Sequence, residues 1–254
     1  MGKIVVIANQ KGGVGKTTTA INLASSLAVM EKRILIVDID PQANASSGLG
    51  LDLSKIDTTI YDVLLEKVPY QDAVQKTFLE YLDILPSNQD LVGAEIEMVN
   101  MISRETRLRK ALKPAKNDYD FIFIDCPPSL SLLTVNSFTA GDSVLIPIQC
   151  EYFALEGLTQ LLNTIRLIQK NLNPQLDLEG IILTMYDSRL NLSKMVAEEV
   201  RKYFGDKVYK TIISRNVRLG EAPSYGQPII SFDIHSSGAM NYMQLAEEFI
   251  HGKK

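Results

Sequence analysis

The chain has 254 residues, 46% hydrophobic and 22% charged, with a formal net charge of -4. A chain of this length buries most of the surface its unfolded form exposes, so its composition excludes a disordered or disulfide-dependent mini-protein. The acidic balance excludes wholesale coating of nucleic acid but leaves room for a local basic patch. No apolar run approaches the ~18 residues of a bilayer span, so a soluble, cytoplasmic protein without membrane association is expected.

In chain order, Lys3 to Ala8 is a β-branched run that reads as a first strand. It meets a glycine loop too soon to be an export signal, and Val6 stands where a myristoylation motif wants Ser or Thr. The loop is Asn9-Gln10-Lys11-Gly12-Gly13-Val14-Gly15-Lys16-Thr17-Thr18-Thr19, and a helical stretch over 16–30 follows directly. Strand, glycine loop and helix N-terminus stand in the order phosphate binding requires: glycines let backbone N–H groups approach phosphate oxygens, and the helix dipole favours the anion. Gly12, Gly13, Val14, Gly15, Lys16, Thr17 and Thr18 are thus candidate ATP-binding residues, with Lys16 reaching the outer phosphates and the Thr17 hydroxyl a ligand for Mg²⁺. The ordinary P-loop pattern has glycine where Gln10 stands. The residues match instead the deviant form K-G-G-x-G-K-[ST], in which Lys11 is an additional cation.

A second strand, Arg33 to Asp38, ends in the acids Asp38 and Asp40, which a strand period of two turns toward one face. Asp40, nearer the loop, is the candidate to orient the attacking water, and Asp38 to support Mg²⁺ through its hydration shell. A helix over 59–66, a weaker strand over Leu82 to Leu85 and one long helix over 90–113 follow. The strand Phe121 to Ile124 closes on Asp125, a carboxylate unwelcome there unless a cation or hydrogen bonds compensate it; Mg²⁺ is the obvious cation, and a helix cap for the segment after Pro127-Pro128 is the alternative. A helix over 130–138, a strand Ser143 to Pro147, a helix over 154–170 with one apolar face, a strand Gly180 to Thr184, and helices over 191–204 and 236–251 complete the chain. Cys126 and Cys150 each follow an apolar run and read as small buried hydrophobes; with no C-x-x-C, an iron-sulfur role is not expected. No linker or repeat divides residues 1–254, so one domain is expected: an α/β, doubly wound, mostly parallel sheet with helices on both faces, of the P-loop NTPase type, with its ligands at the carboxyl ends of the strands.

The glycine loop, the segment Val37-Asp38-Ile39-Asp40-Pro41-Gln42-Ala43-Asn44 and the run Ile124-Asp125-Cys126-Pro127-Pro128-Ser129 resemble the three motifs of ParA/Soj partitioning ATPases. Ser214 to Ser224 is similar to that family's C-terminal nucleotide-facing segment, although the family usually has proline where Ser214 stands. The resemblance covers nearly the whole chain. It implies that Lys11 reaches across an ATP-bound homodimer to the partner's phosphates, that Asp125 is the Walker B acid and that the switch after it senses the γ-phosphate. It further implies a catalytic set of Lys11, Lys16 and Asp40, nonspecific binding of double-stranded DNA, nucleoid association, and hydrolysis stimulated by a ParB-like centromere-binding protein. Asn216 offers an amide for adenine, or for its own backbone. From Arg189 to Arg218 eight Lys and Arg residues face three acids, and Arg189 and Arg218, outside the predicted helix, are the first candidates for DNA contact. An alternative, a MinD-like membrane-associated regulator of division sites, shares the deviant loop. Glu247 and Glu248 in the last helix suit core packing better than a lipid anchor.

Overall fold

Strands that are apolar on both faces must be covered on both faces, and the chain does this with a single sheet. The structure is a computed structural model that describes residues 1–151 and 154–252. In β1 (Lys3–Ile7), Ile4 and Val6 enter the core on one side and Val5 and Ile7 on the other. The other strands are β2 (Ile34–Asp38), β3 (Gln75–Lys76), β4 (Leu82–Leu85), β5 (Phe121–Asp125), β6 (Ser143–Gln149), β7 (Asp177–Tyr186) and β8 (Val208–Ser214). Their order across the sheet is β3-β4-β2-β5-β1-β6-β7-β8. Every pairing is parallel except that of β3 with β4. From the central β1 the chain winds first toward β4 and then back toward β8, so the reversal falls beside β1, where doubly wound sheets bind ligands.

One face of the sheet carries α1 (Lys16–Val29) and α12 (Ser237–His251), packed on Val5, Ile7, Ile34, Ile36 and Phe123. The other carries α5 (Leu91–Met98), α6 (Arg107–Leu112), α7 (Leu132–Ala140), α8 (Ala154–Asn171) and α9 (Asn191–Phe204), packed on Ile4, Val6, Leu35, Val37 and Ile122. Short helices α2 (Asn44–Gly48), α3 (Ile60–Leu64), α4 (Tyr70–Ala73), α10 (Val217–Glu221) and α11 (Ile229–Phe232) fill the connections. The last helix lies on the core: Tyr242, Leu245 and Ala246 are buried, and Glu248 accepts hydrogen bonds from the backbone amides of Lys210 (2.7 Å) and Thr211 (2.9 Å). Glu248 therefore satisfies two amides of the edge strand β8. No helix among the described residues is long and apolar enough to cross a membrane.

Two expectations need correction. Residues 90–113 do not form one helix; α5 ends at Met98 and α6 starts at Arg107, with Ser103 between them in the left-handed region at φ 57°. Asn100 and Ser103, weak helix formers, sit at the break. The run Val208 to Ser214, whose one lysine, Lys210, reads only as charge, is strand β8.

The carboxyl side of the sheet is closed by a backbone crossing in which Gly50 (φ 81°) meets Gly226 (φ 64°), and a Cβ built on Gly226 would stand 2.6 Å from the Gly50 Cα. Both the left-handed backbone and the close approach require glycine. Gly226→Ala should lower stability by roughly 2–4 kcal/mol, combining left-handed strain with overpacking. The urea unfolding midpoint measures this, and an unchanged midpoint would show that the crossing is not tight in solution.

Candidate active site

The loop after β1 turns through Gly13 (φ 73°) and Gly15 (φ 88°), and Gly15 is the N-cap of α1 without any side-chain cap. The first amides of α1 are therefore left for an anion. Other strands hold the loop in place. Asn9 donates to the Pro147 carbonyl at the end of β6 (2.7 Å) and accepts from the Lys11 amide (3.0 Å), while the Thr184 hydroxyl at the end of β7 donates to the Val14 carbonyl (2.8 Å). Asn22 ties α1 to the C-terminal part of the chain, donating to the Thr18 carbonyl and accepting from the Ile229 amide (2.7 Å). A cavity of about 530 Å³ opens over the loop, lined by Gly12, Gly13, Gly15, Lys16, Thr17 and Thr18 together with Asp40, Gln42, Asn44, Ser47, Pro128 and Met185.

Lys16 is 7% exposed, and its ammonium reaches the Lys11 carbonyl at a long 3.4 Å. Burial pulls its pKa down, while the charges of Asp125 and Asp40 pull it back up. A buried cation so weakly bonded at the floor of an open cavity is poised for an anion.

Asp38 and Asp125 are register partners on adjacent strands, and both are fully buried. They are not equivalent. Asp38 accepts hydrogen bonds from the amide of Asp40 (3.2 Å) and from the amide and hydroxyl of Ser46 (2.9 and 2.7 Å). Burial pushes its carboxyl up to about 6 against those bonds. Asp125 lies within reach of the Thr17 hydroxyl, which pulls its pKa down, yet neither carboxylate oxygen has a partner of good hydrogen-bond geometry. Burial first, and then the charge of Asp38, drive its pKa well above the ordinary carboxylate range. Asp40 does line the cavity, whereas Asp38 does not; strand β2 has ended by then, and the two acids part company.

No group of three or more His, Cys, Asp or Glu that would hold a bare metal ion exists among the described residues. A magnesium ion arriving with a polyphosphate asks for less, because phosphate and water oxygens fill most of its six positions. The unpartnered carboxylate of Asp125 beside the Thr17 hydroxyl fits that requirement. Cys126 and Cys150 are buried, and burial raises their thiols to about 12 and about 11, so both are protonated apolar residues, as expected.

A second cavity of about 260 Å³ shares Gly15, Thr18 and Met185 with the first and is walled by Ile213, Ser214, Leu219 and Tyr242. Asn216 lines it, but its side chain caps α10, accepting from the Arg218 amide (2.8 Å) and donating to the Ser237 hydroxyl (2.7 Å). Met185, at the junction of both cavities, is left-handed at φ 51°. Residues such as Ser47, Thr184 and Met185 carry no sequence signal; Gln42 and Asn44 lie within the motif after β2 and could have been singled out.

Lys11 does not line the cavity. Its ammonium pairs with Glu151 at 2.6 Å, and both side chains are partly exposed. The basic stretch separates in space. Lys207 and Lys210 lie at the starting end of β8, while Arg215 bonds the Tyr186 carbonyl at its far end, on the nucleotide side with Arg189 and Arg218. Arg189 is paired with Asp187 (2.7 Å), and Arg218 with Glu221 (3.0 Å) and Asp233 (3.5 Å).

Residues 2–178 match the AAA domain family. The chain is 59% identical over 248 residues to the sporulation initiation inhibitor protein Soj of Bacillus subtilis, covering 98% of both chains. It is 57% identical to the chromosome partitioning protein ParA of Myxococcus xanthus, covering 98% of this chain and 88% of that one. Among solved structures it resembles a cobyrinic acid a,c-diamide synthase of Mycobacterium smegmatis with bound ADP and magnesium, at TM-score 0.86 and 36% identity over 99% of this chain and 95% of that one.

Asp38 and Asp125 hold their protons more tightly in the fold than in the unfolded chain. The metal-free protein should therefore lose stability as pH rises from about 4 through about 6, with Asp125 extending the loss upward. Asp125→Asn should flatten that decline and raise stability at neutral pH by roughly 1–3 kcal/mol. Urea midpoints across this range in a chelating buffer test it; a variant less stable than the parent at neutral pH would contradict the assignment of an uncompensated charge.

Proposed function

The chain belongs to the ParA/Soj family of partitioning ATPases, and from that membership we propose that it is an ATP-driven switch for DNA segregation. It acts on ATP together with Mg²⁺. In the proposed cycle ATP joins two copies face to face, the homodimer holds double-stranded DNA without regard to sequence, and a ParB-like centromere-binding protein stimulates hydrolysis to release it. Such a protein would be nucleoid-associated, with residues 1–254 acting as one ATPase domain.

One observation carries this reading: the phosphate loop has two lysines, and only Lys16 lines the chain's own cavity, while Lys11 rests on Glu151 beside it. A half-exposed ion pair of this kind contributes at most about 1 kcal/mol. Lys11 can therefore exchange Glu151 for a stronger anion, and a triphosphate held by a second copy is such an anion.

Within one protomer, the amides from Gly12 to Thr18 and the Lys16 ammonium would hold the phosphates. Asp40, on the cavity wall, would orient the attacking water, the chief task left to the protein in a loose phosphoryl-transfer transition state. Thr17 and Asp125 would hold Mg²⁺, which neutralises charge on the phosphate oxygens, with Asp38 supporting them from beneath. The apolar walls of the smaller cavity suit an adenine ring. Asn216 would read it by giving up its bond to Ser237.

Lys16→Ala should abolish ATP-dependent dimerisation, whereas Asp40→Ala should bind ATP and stay dimeric without turnover. Light scattering and phosphate release read both, and an ATP-induced dimer in the first variant or normal release in the second would contradict the assignments. For DNA, Arg189 and Arg218 must trade acidic partners for phosphates. Their joint replacement by alanine, which removes two arginines from each copy of the homodimer, should lower the salt dependence of binding by up to about four units of log–log slope while leaving dimerisation intact. An unchanged slope would move the DNA surface elsewhere.

A further inference from the structure

The segment that carries Asp40 over the cavity is held by a side chain that does not itself reach the cavity. Asp38, Ser46 and Ser87 are all completely buried. The Ser46 hydroxyl donates to Asp38 Oδ2 at 2.7 Å and accepts from the Ser87 amide, beyond the end of β4, at 3.1 Å. The Ser46 amide donates to the same carboxylate oxygen, and the Asp40 amide donates to the other. One carboxylate thus clamps the chain at two points, residues 40 and 46. Asp40, Gln42 and Asn44, which line the cavity, lie on the span it closes. That span includes Ala43 in the left-handed region (φ 51°), a conformation that persists only where surrounding contacts over-determine it.

We propose that Ser46 is a positioning residue for ATP hydrolysis: its hydroxyl, bridging Asp38 to the Ser87 amide, fixes residues 40–46 so that Asp40 keeps its place at the cavity wall. The inference rests on the role of Asp40 proposed above. Loss of the hydroxyl removes one of the three bonds to Asp38 and leaves the buried Ser87 amide without its acceptor, while both backbone bonds of the clamp remain. The segment stays folded but is no longer tied to the end of β4. Since Ser46 is not part of the cavity wall, its substitution removes no contact with nucleotide, and binding and turnover should separate.

Fluorescent-ATP titration and single-turnover hydrolysis with Mg²⁺ test this, with rates expressed per nucleotide-bound protomer so that misfolded material does not count. Ser46→Ala should slow hydrolysis by at least about tenfold, the scale of a displaced catalytic group, while ATP affinity changes by less than about twofold. Ser46→Thr, which keeps the hydroxyl, should recover most of the rate. Wild-type turnover in Ser46→Ala, a parallel loss of binding, or a Ser46→Thr variant as slow as Ser46→Ala would each overturn the inference. Asp40→Ala separates the two ideas. If that variant turns over normally, the role of Asp40 itself fails; if it is inactive while Ser46→Ala is normal, only the role of Ser46 fails.

Discussion

Two carboxylates buried side by side on neighbouring strands, with a buried ammonium close by, set the terms for the rest of the molecule. Asp38 has hydrogen bonds that make its burial tolerable, whereas Asp125 has none of good geometry. An uncompensated charge at full burial is among the most costly features a fold can carry. Here it stands where β1, β2 and β5 end together, at the mouth of a glycine loop whose amides face the opposite way electrostatically. A magnesium polyphosphate would complement both halves at once, its cation meeting Asp125 and its anion Lys16 and the uncapped start of α1.

The same ends of the strands organise the contacts that keep the site in shape. Asn9 reaches to β6, Thr184 brings β7 to the loop, and Asn22 brings in the segment after β8. Each bond joins residues far apart in the chain, so the phosphate loop is held by the sheet rather than by its own sequence. The left-handed Met185 and Ala43 stand on opposite sides of this frame. Strain at both suggests that the cavity walls are set by the surrounding bonds and not by local preference. Lys11 is the exception, since a partly exposed ion pair leaves it free to change partners.

Much of this was legible in advance. Continuous apolar runs such as Ile34 to Val37 announce a two-sided parallel sheet because nothing else buries both faces of a strand. The glycine loop, with its strand before and helix after, announces phosphate binding because only glycine supports φ 73° and φ 88° at that turn. The long helix over 90–113 was misread because hydrophobic periodicity continues across Ser103 even though the backbone does not. Strand β8 is hidden in the sequence because Lys210, with Lys207 just before it, looks like part of a charged surface; Glu248, which accepts the amides of Lys210 and Thr211, lies about forty positions away.

By itself, then, the order of residues determined the fold class, the loop and which acids stand near it, since each depends on neighbours within a few positions. Tertiary structure decided how those acids divide their work. Strand periodicity treats Asp38 and Asp40 alike, but the end of β2 and the bonds from Ser46 turn one into a clamp and leave the other on the cavity wall. It likewise decided that Lys11 rests on Glu151 and that the basic stretch from Arg189 to Arg218 divides between two ends of the sheet. Burial and hydrogen-bond partners are properties of packing between distant segments, and no local pattern encodes them.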